Sequence, residues 1–363
     1  MQTDITHKIQ KNISLSDFTT IKLGGVASEF ISCASNQDII SALEYATQKN
    51  IPVHVLGGGS NTIFQDTGFA GLVIYIKTSG ISHEEQSSGT VLLTAQAGEN
   101  WDDVVQYAVT LGAVGIECLS SIPGSCGGTP FQNVGAYGQD VSQTIQTVHV
   151  IERSTGKQLQ FSNSECQFGY RTSKFKTTDR DKYIITQVVF KLEKNKTPEI
   201  KYPELEKMIG HSNTQGVAVK LRANNAKLVQ IRTAVLALRK KKSMLIDSTD
   251  PNSISCGSFF TNPIIPKTDF ENNAVLKNSD IPKFPTDDNS NTMLKLSAGW
   301  LIEHAGFSKG MKQGSVGISD NHSLALVNRG GTTQELLDFA HHIQKTVQQK
   351  FGIKLELEPV VVM

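Results

Sequence analysis

The stretch Ile122-Pro123-Gly124-Ser125-Cys126-Gly127-Gly128-Thr129-Pro130, followed by Gln132-Asn133-Val134-Gly135-Ala136-Tyr137-Gly138, decides how this chain is read. From Pro123 to Gly138 it holds five glycines and two prolines, with polar Ser125, Thr129, Gln132 and Asn133 among them. Strand and helix patterns lie on both sides, so it is a long backbone-exposing loop inside a domain. Such loops in compact domains are usually functional. Glycines bare the backbone N–H groups and let a phosphate approach with no Cβ in the way. A structural crossover is the competing reading of the same residues.

A second glycine turn, Leu56-Gly57-Gly58-Gly59-Ser60-Asn61, follows the strand pattern Ile51–Leu56. It is a poor dinucleotide fingerprint, because Thr62 stands at the sixth position, and no lysine follows to make a Walker loop. Alone it reads as a plain turn. Two phosphate-suited loops in adjacent domains, however, point to a dinucleotide held by both.

The surrounding pattern mixes helices and strands. Ser35 can cap a helix with the apolar face Ile39, Ile40, Leu43 and Ala46, which Asn50 ends. Strands are expected at Gly71–Ile76, Val91–Ala97, Ile145–Glu152 and Tyr183–Leu192, and helices at Trp101–Leu111 and Asn225–Arg239. The basic run Arg239-Lys240-Lys241-Lys242 marks a boundary, and Asn278 to Asn291 is loop-rich. Thr332 and Glu335 have capping-box spacing before the apolar face Leu336, Ala340, Ile343 and Val347, and Gly352 stops that helix. Ile353–Glu358 alternates apolar and charged like a strand. The expected domains are 1–80, 81–242 and 243–363.

Bulk properties narrow the function. The chain has 363 residues, 38% hydrophobic and 19% charged, which describes an ordinary globular protein of two or three domains. A net charge of +1 leaves no excess of base for nucleic acid or an anionic membrane. The polar start, Met1 to His7, has no charged-then-apolar export signal, and no apolar run reaches the ~20 residues of a membrane span. Insertion into a membrane is therefore not expected, and a cytoplasmic location is. Cys33, Cys118, Cys126, Cys166 and Cys256 are scattered without a C-x-x-C pair, so neither a metal site nor a disulfide framework is expected.

Three further groups are chemically pointed. Arg171, in Gly169-Tyr170-Arg171-Thr172-Ser173, could bind a carboxylate in bidentate fashion, or lie in solvent. Ser258, in Cys256-Gly257-Ser258-Phe259-Phe260-Thr261-Asn262-Pro263, lacks a G-x-S-x-G elbow, so a serine hydrolase is not supported. Glu356 and Glu358 share one face of the closing strand pattern, where a solvated polar face is the ordinary reading.

In this order the motifs resemble the UDP-N-acetylenolpyruvoylglucosamine reductase family. The resemblance runs from Phe18-Thr19-Thr20-Ile21-Lys22-Leu23-Gly24-Gly25 through the Leu56–Asn61 turn, Ala97-Gly98-Glu99-Asn100-Trp101 and Ile122–Gly138. It continues through Phe168–Arg171, Gly257–Pro263, Ala298-Gly299-Trp300-Leu301-Ile302 and Leu355–Glu358. Nearly the whole chain is covered. The resemblance implies an α+β protein: a vanillyl-alcohol-oxidase/PCMH-type FAD-binding fold of two subdomains plus a carboxy-terminal α+β substrate domain. FAD is bound non-covalently and NADPH is the co-substrate, in peptidoglycan precursor synthesis; a monomer is expected.

By this resemblance, FAD is held by Leu56, Gly57, Gly58, Gly59, Ser60 and Asn61, by Ser121, Ile122, Pro123, Gly124 and Ser125, and by Gly128, Thr129, Asn133, Gly135, Ala136 and Tyr137. Arg171 stabilises charge developing on the substrate carboxylate. Glu358 donates to that carboxylate in its protonated form, with Glu356 as the alternative acid, and Ser258 supplies the proton to the α-carbon. Tyr170, Tyr202, Lys242, Asn262 and Lys309 contact the UDP-sugar, with Lys240 or Lys241 as alternatives to Lys242. Tyr202, in Lys201-Tyr202-Pro203-Glu204-Leu205, resembles the substrate-gripping tyrosine of the family's first type. The chain departs from the pattern at Phe284, where some members have a tyrosine, at Cys126 and Cys256, and in its longer loop from Lys242 to Ser255.

Two rival functions use the same loops. An FAD oxidase of this fold would not need Arg171, Ser258 and Glu358 together, and often tethers its flavin covalently. A non-catalytic flavin-binding protein would hold FAD without reduction by NADPH.

Overall fold

The computed structural model describes residues 5–210, 220–286 and 292–363. Residues 1–4 of the polar start and 287–291 of the loop-rich stretch lie outside the described residues. The chain forms two compact units. One comprises Met1–Ile13, Ala27–Gly58 and Ala70–Lys241, the other Ser14–Val26, Gly59–Phe69 and Lys242–Met363.

The first unit holds two sheets. One has the strand order Gln10–Ser14, Val26–Cys33, Phe69–Ile76, Val53–Leu56, its last pair parallel. The helix Asn36–Lys49 covers it. Ser35 Oγ accepts the Asp38 N–H at 3.1 Å, and Asn50, at φ +52°, ends the helix in the left-handed region. A cap of this kind contributes about 1 kcal/mol. Ile39, Ala42, Leu43 and Ala46 share one core with Ile31, Leu72 and Ile74.

The other sheet is antiparallel, in the order Gln158–Ser162, Ile145–Glu152, Tyr183–Glu193, Thr90–Gln96, Ile81–Glu85. In Tyr183–Glu193 every second residue from Ile184 to Leu192 is buried, the period of a strand packed on one face. The helix Trp101–Leu111 lays Trp101, Val104, Val105 and Ala108 into the same core, with the Trp101 and Phe190 rings 5.6 Å apart. The helix Lys220–Lys241 is longer than its expected span. It buries Leu228, Ile231, Val235 and Leu238, the last three against Cys118 and Leu205.

The second unit packs short sheets against helices. Ile264–Pro266, Met293–Leu296 and Lys283–Phe284 form one antiparallel sheet; Lys312–Gln313, Val316–Ile318 and Leu326–Asn328 form another. The helix Thr333–Phe351 begins with the capping box: Thr332 Oγ1 accepts the Glu335 N–H at 3.1 Å, and Glu335 accepts the Thr332 N–H at 2.8 Å. The Asp66 carboxylate accepts the next two amides, of Thr333 and Gln334, at 2.8 and 3.0 Å, an anion at the positive end of the helix. Leu336, Phe339, Ala340, Ile343 and Val347 then enter the core with Phe259, Phe260, Leu301 and Leu355.

One expected strand is corrected. Ile353–Glu358 carries no ladder, only a bridge between Leu357 and Phe260. The Leu355 carbonyl is taken instead by the Gln344 side chain at 2.7 Å. The regular closing strand is Val360–Val362, parallel to Thr62–Phe64. All five cysteines are buried thiols. Among the described residues no helix is long and apolar enough to cross a membrane, and no cluster of His, Cys, Asp or Glu is placed to hold a metal.

Candidate active site

In the first unit the strand Val53–Leu56 delivers Leu56, itself buried, into Gly57 and Gly58. A Cβ on Gly58 would stand 2.6 Å from the Gly124 Cα, and one on Gly57 would stand 2.5 Å from Ser125 Oγ. The two glycine loops thus lie backbone against backbone. Real side chains never come that close, so only glycine fits at position 58. Ser125 Oγ accepts the Gly58 N–H at 3.3 Å and fixes their spacing.

The second loop is laid along the segment before the helix Trp101–Leu111. Gly127 N–H donates to the Ala97 carbonyl and Cys126 N–H to the Glu99 carbonyl, both at 2.8 Å; Trp101 N–H donates to the Gly124 carbonyl at 3.1 Å. The indole Nε1 of Trp101, buried with its ring, donates to the Leu119 carbonyl at 3.0 Å. Ser121, at φ +59°, turns the chain between these anchors, and its N–H donates to Asp102 Oδ1 at 2.6 Å. Ile122 and Pro123 are half-buried there, and a Cβ on Gly128 would meet nothing within 4 Å.

Further along, side chains hold the loop from both ends. Thr129 donates to the Cys126 carbonyl at 2.8 Å. Asn133, at φ +48°, donates to the Gly169 carbonyl and accepts the Ser142 N–H, both at 3.0 Å. Gly135–Ala136 pairs with Gln139–Asp140 in a short hairpin. The Tyr137 ring meets the Tyr202 ring edge-on, centroids 5.3 Å apart at 84°. Burial pushes the Arg239 guanidinium below its ordinary pKa, against Tyr137 and Asp102, which both favour its charge.

Arg171 sits at φ +54° in a turn closed by paired backbone bonds between Gly169 and Thr172. Its Nη2 donates to the Gly135 carbonyl at 2.7 Å, and its guanidinium lies 5.8 Å from the Tyr170 ring centroid. Arg171, Tyr170 and the Gly135–Tyr137 hairpin are therefore brought together within this unit. Buried Glu117 supports the hairpin: it accepts from the Gly115 N–H at 2.7 Å and from Gln139 at 3.0 Å.

In the second unit Gly59, at φ +64°, packs on the Phe18 carbonyl, and the turn continues through half-buried Ser60 into Asn61. Asn61 Nδ2 donates to the Glu358 carbonyl at 3.2 Å, and the Val360 N–H returns to the Asn61 carbonyl at 2.9 Å. Glu358 N–H in turn donates to the Phe259 carbonyl, and Thr261 N–H to the Glu356 carbonyl, both at 3.0 Å. Ser258 and Glu358 are thus brought onto facing segments, both half-buried. Glu356 is not. Its side chain is 71% exposed, 3.7 Å from Lys354 Nζ.

The substrate-binding candidates of this unit are dispersed along it. Asn262 Oδ1 accepts the Ala298 N–H at 2.9 Å, at the start of the helix Ala298–His304. Lys309 is half-exposed, 3.7 Å from Glu303. Lys242 opens the last segment of the unit and is half-buried; Lys240 and Lys241 end the preceding helix. Phe284 is exposed on its short strand.

The first loop pair fits a dinucleotide's phosphates: two backbones meet where side chains are sterically forbidden, with a hydroxyl between them. Residues missed from sequence are Asp102 and Glu117. Two acids after the capping Asn100 look like an ordinary helix start, and nothing local links Asp102 to its partner on a helix 130 residues away.

Residues 250–362 match the family model described as UDP-N-acetylenolpyruvoylglucosamine reductase, C-terminal domain, and residues 27–162 match that of an FAD binding domain. The UDP-N-acetylenolpyruvoylglucosamine reductase of Thermobifida fusca is 43% identical over 99% of this chain and 99% of its own. That of Salinispora arenicola is 38% identical over 96% of this chain and 94% of its own. The crystal structure of the Thermus caldophilus UDP-N-acetylenolpyruvylglucosamine reductase superposes with a TM-score of 0.64 at 23% identity, over 98% of this chain and all of the other, and shows the fold. With full-length identity at this level, the chain belongs to the UDP-N-acetylenolpyruvoylglucosamine reductase family.

Proposed function

We infer that this chain is an FAD-dependent reductase of peptidoglycan precursor synthesis, which uses NADPH to reduce the enolpyruvyl group of UDP-N-acetylenolpyruvoylglucosamine and so forms UDP-N-acetylmuramate. The observation that carries the assignment of roles is the backbone bond from Glu358 to Phe259. It brings the Glu358 backbone alongside the segment that carries Ser258, while the Glu356 side chain is exposed, and this supports Glu358 over Glu356 as the acid.

Residues 1–80 and 81–242 are read as the FAD-holding part, and 243–363 as the substrate domain. FAD would be held by Leu56–Asn61, Ser121–Ser125, Gly128, Thr129, Asn133 and Gly135–Tyr137, without a covalent bond. When bound, it supplies the hydride relay between NADPH and the sugar.

The chain's own residues do the rest. Arg171 binds the substrate carboxylate and stabilises the negative charge that grows there as the double bond is reduced. Glu358 serves as the acid beside the same carboxylate. Ser258 Oγ holds the proton destined for the α-carbon, a positioned general acid of the kind that contributes about 10²–10⁴-fold. Tyr170, Tyr202, Lys242, Asn262 and Lys309 bind the nucleotide sugar, the lysines as point charges on the diphosphate. The protein acts as a monomer in the cytoplasm, where nucleotide sugars and NADPH are found.

Incubating the purified protein with NADPH and the enolpyruvyl sugar, then weighing the sugar nucleotide by mass spectrometry, tests this. A product heavier by two hydrogens is expected; an unchanged sugar alongside oxidised NADPH would refute it.

A further inference from the structure

We propose that Asp102 and Arg232 are positioning residues for the FAD-holding loop, acting as a charged clamp that sets the turn at Ser121. The proposal rests on the reading that Ser121–Ser125 hold FAD.

Asp102 lies in the first turn of the helix Trp101–Leu111, and Arg232 in the helix Lys220–Lys241. Arg232 grips the carboxylate with both ends of its fork, Nη1 to Oδ1 at 2.6 Å and Nη2 to Oδ2 at 2.7 Å. The side chains are 13% and 30% exposed, so the pair is partly shielded from water. Oδ1 also accepts the Ser121 N–H at 2.6 Å. A surface ion pair contributes little, but a shielded bidentate pair with a third charge-assisted bond fixes geometry as well as energy.

What it fixes is a strained turn. Ser121 is not glycine, yet takes φ +59°, a left-handed conformation that an L-residue keeps only where its surroundings hold it there. Three residues on, Gly124 packs against Gly58 with no room for a Cβ. A shift at Ser121 would therefore move both glycine loops. Burial would raise the Asp102 pKa, but the Arg232 and Ser121 bonds outweigh it and hold the carboxyl below its ordinary value, so the clamp stays charged at neutral pH.

The test uses the full chain stripped of flavin and titrated with FAD, followed by flavin fluorescence. Wild type binds FAD; if it does not, the reading beneath the proposal fails first. Asp102→Asn and Arg232→Met should each weaken FAD binding roughly 10- to 100-fold, and the double variant no more than the worse single one. Arg232→Lys, which keeps the charge and loses the fork, should fall between. Hydrogen exchange of the flavin-free chain should quicken over residues 119–125 and stay unchanged in the strand Ile145–Glu152. FAD affinity within twofold of wild type in Asp102→Asn and Arg232→Lys would overturn the proposal. So would equal loss of melting temperature with and without FAD, the mark of a merely structural pair.

Discussion

Arg171 Nη2 donates to the Gly135 carbonyl at 2.7 Å, tying the carboxylate-binding candidate to the hairpin assigned to FAD. The bond holds a guanidinium that a left-handed backbone has already turned. Replacing Arg171 with lysine keeps the charge and loses the planar fork. Steady-state kinetics should show kcat/KM for the enolpyruvyl sugar falling by about 10²-fold, with flavin reduction by NADPH retained. Unchanged sugar kinetics would remove Arg171 from its role.

The two carboxylates of the closing segment should separate cleanly. Glu356→Ala, at a solvent-facing residue beside Lys354, should leave turnover within twofold of wild type. Glu358→Ala should lower kcat about 10²-fold or more. The reverse ranking would make Glu356 the acid.

Ser258→Ala should let NADPH reduce the flavin at the wild-type rate while sugar turnover drops about 10²–10⁴-fold. Rapid-mixing absorbance near the flavin band separates the two half-reactions. Equal losses in both would contradict a role confined to protonating the sugar.

His54, on the strand that leads into Gly57, gives the fold a pH dependence. Burial pushes its pKa down from 6.5 to about 4. Between these values the unfolded chain binds a proton that the folded chain does not, so stability is full above pH 6.5 and is lost as pH falls toward 4. The loss is on the order of 3 kcal/mol. Denaturant titrations from pH 7 to pH 4 should show it, and His54→Gln should flatten the slope. An equally steep fall in that variant would assign the effect to other groups.

Much of this was legible in sequence where the signal is local. Ser35, Asn50, Thr332 with Glu335, and Gly352 each mark a helix end because a cap is a contact within one turn. The strand Tyr183–Leu192 was equally plain. The closing strand was displaced because alternation at 353–358 records which side chains are buried, not which backbone groups are paired. Gln344 and the Phe259–Thr261 segment take hydrogen bonds a ladder would have used. Of the site, the glycine loops were readable from composition and the roles of Arg171, Ser258 and Glu358 only from resemblance. The Asp102–Arg232 clamp was not readable at all, since its members are 130 residues apart and each alone is an ordinary surface charge.

The most direct measurement follows the flavin without oxygen. The FAD-loaded protein is bleached with one equivalent of NADPH, and UDP-N-acetylenolpyruvoylglucosamine is then added under argon. The account predicts that the flavin absorption returns within turnover time and that one equivalent of UDP-N-acetylmuramate appears. A flavin that stays bleached until air is admitted would contradict it.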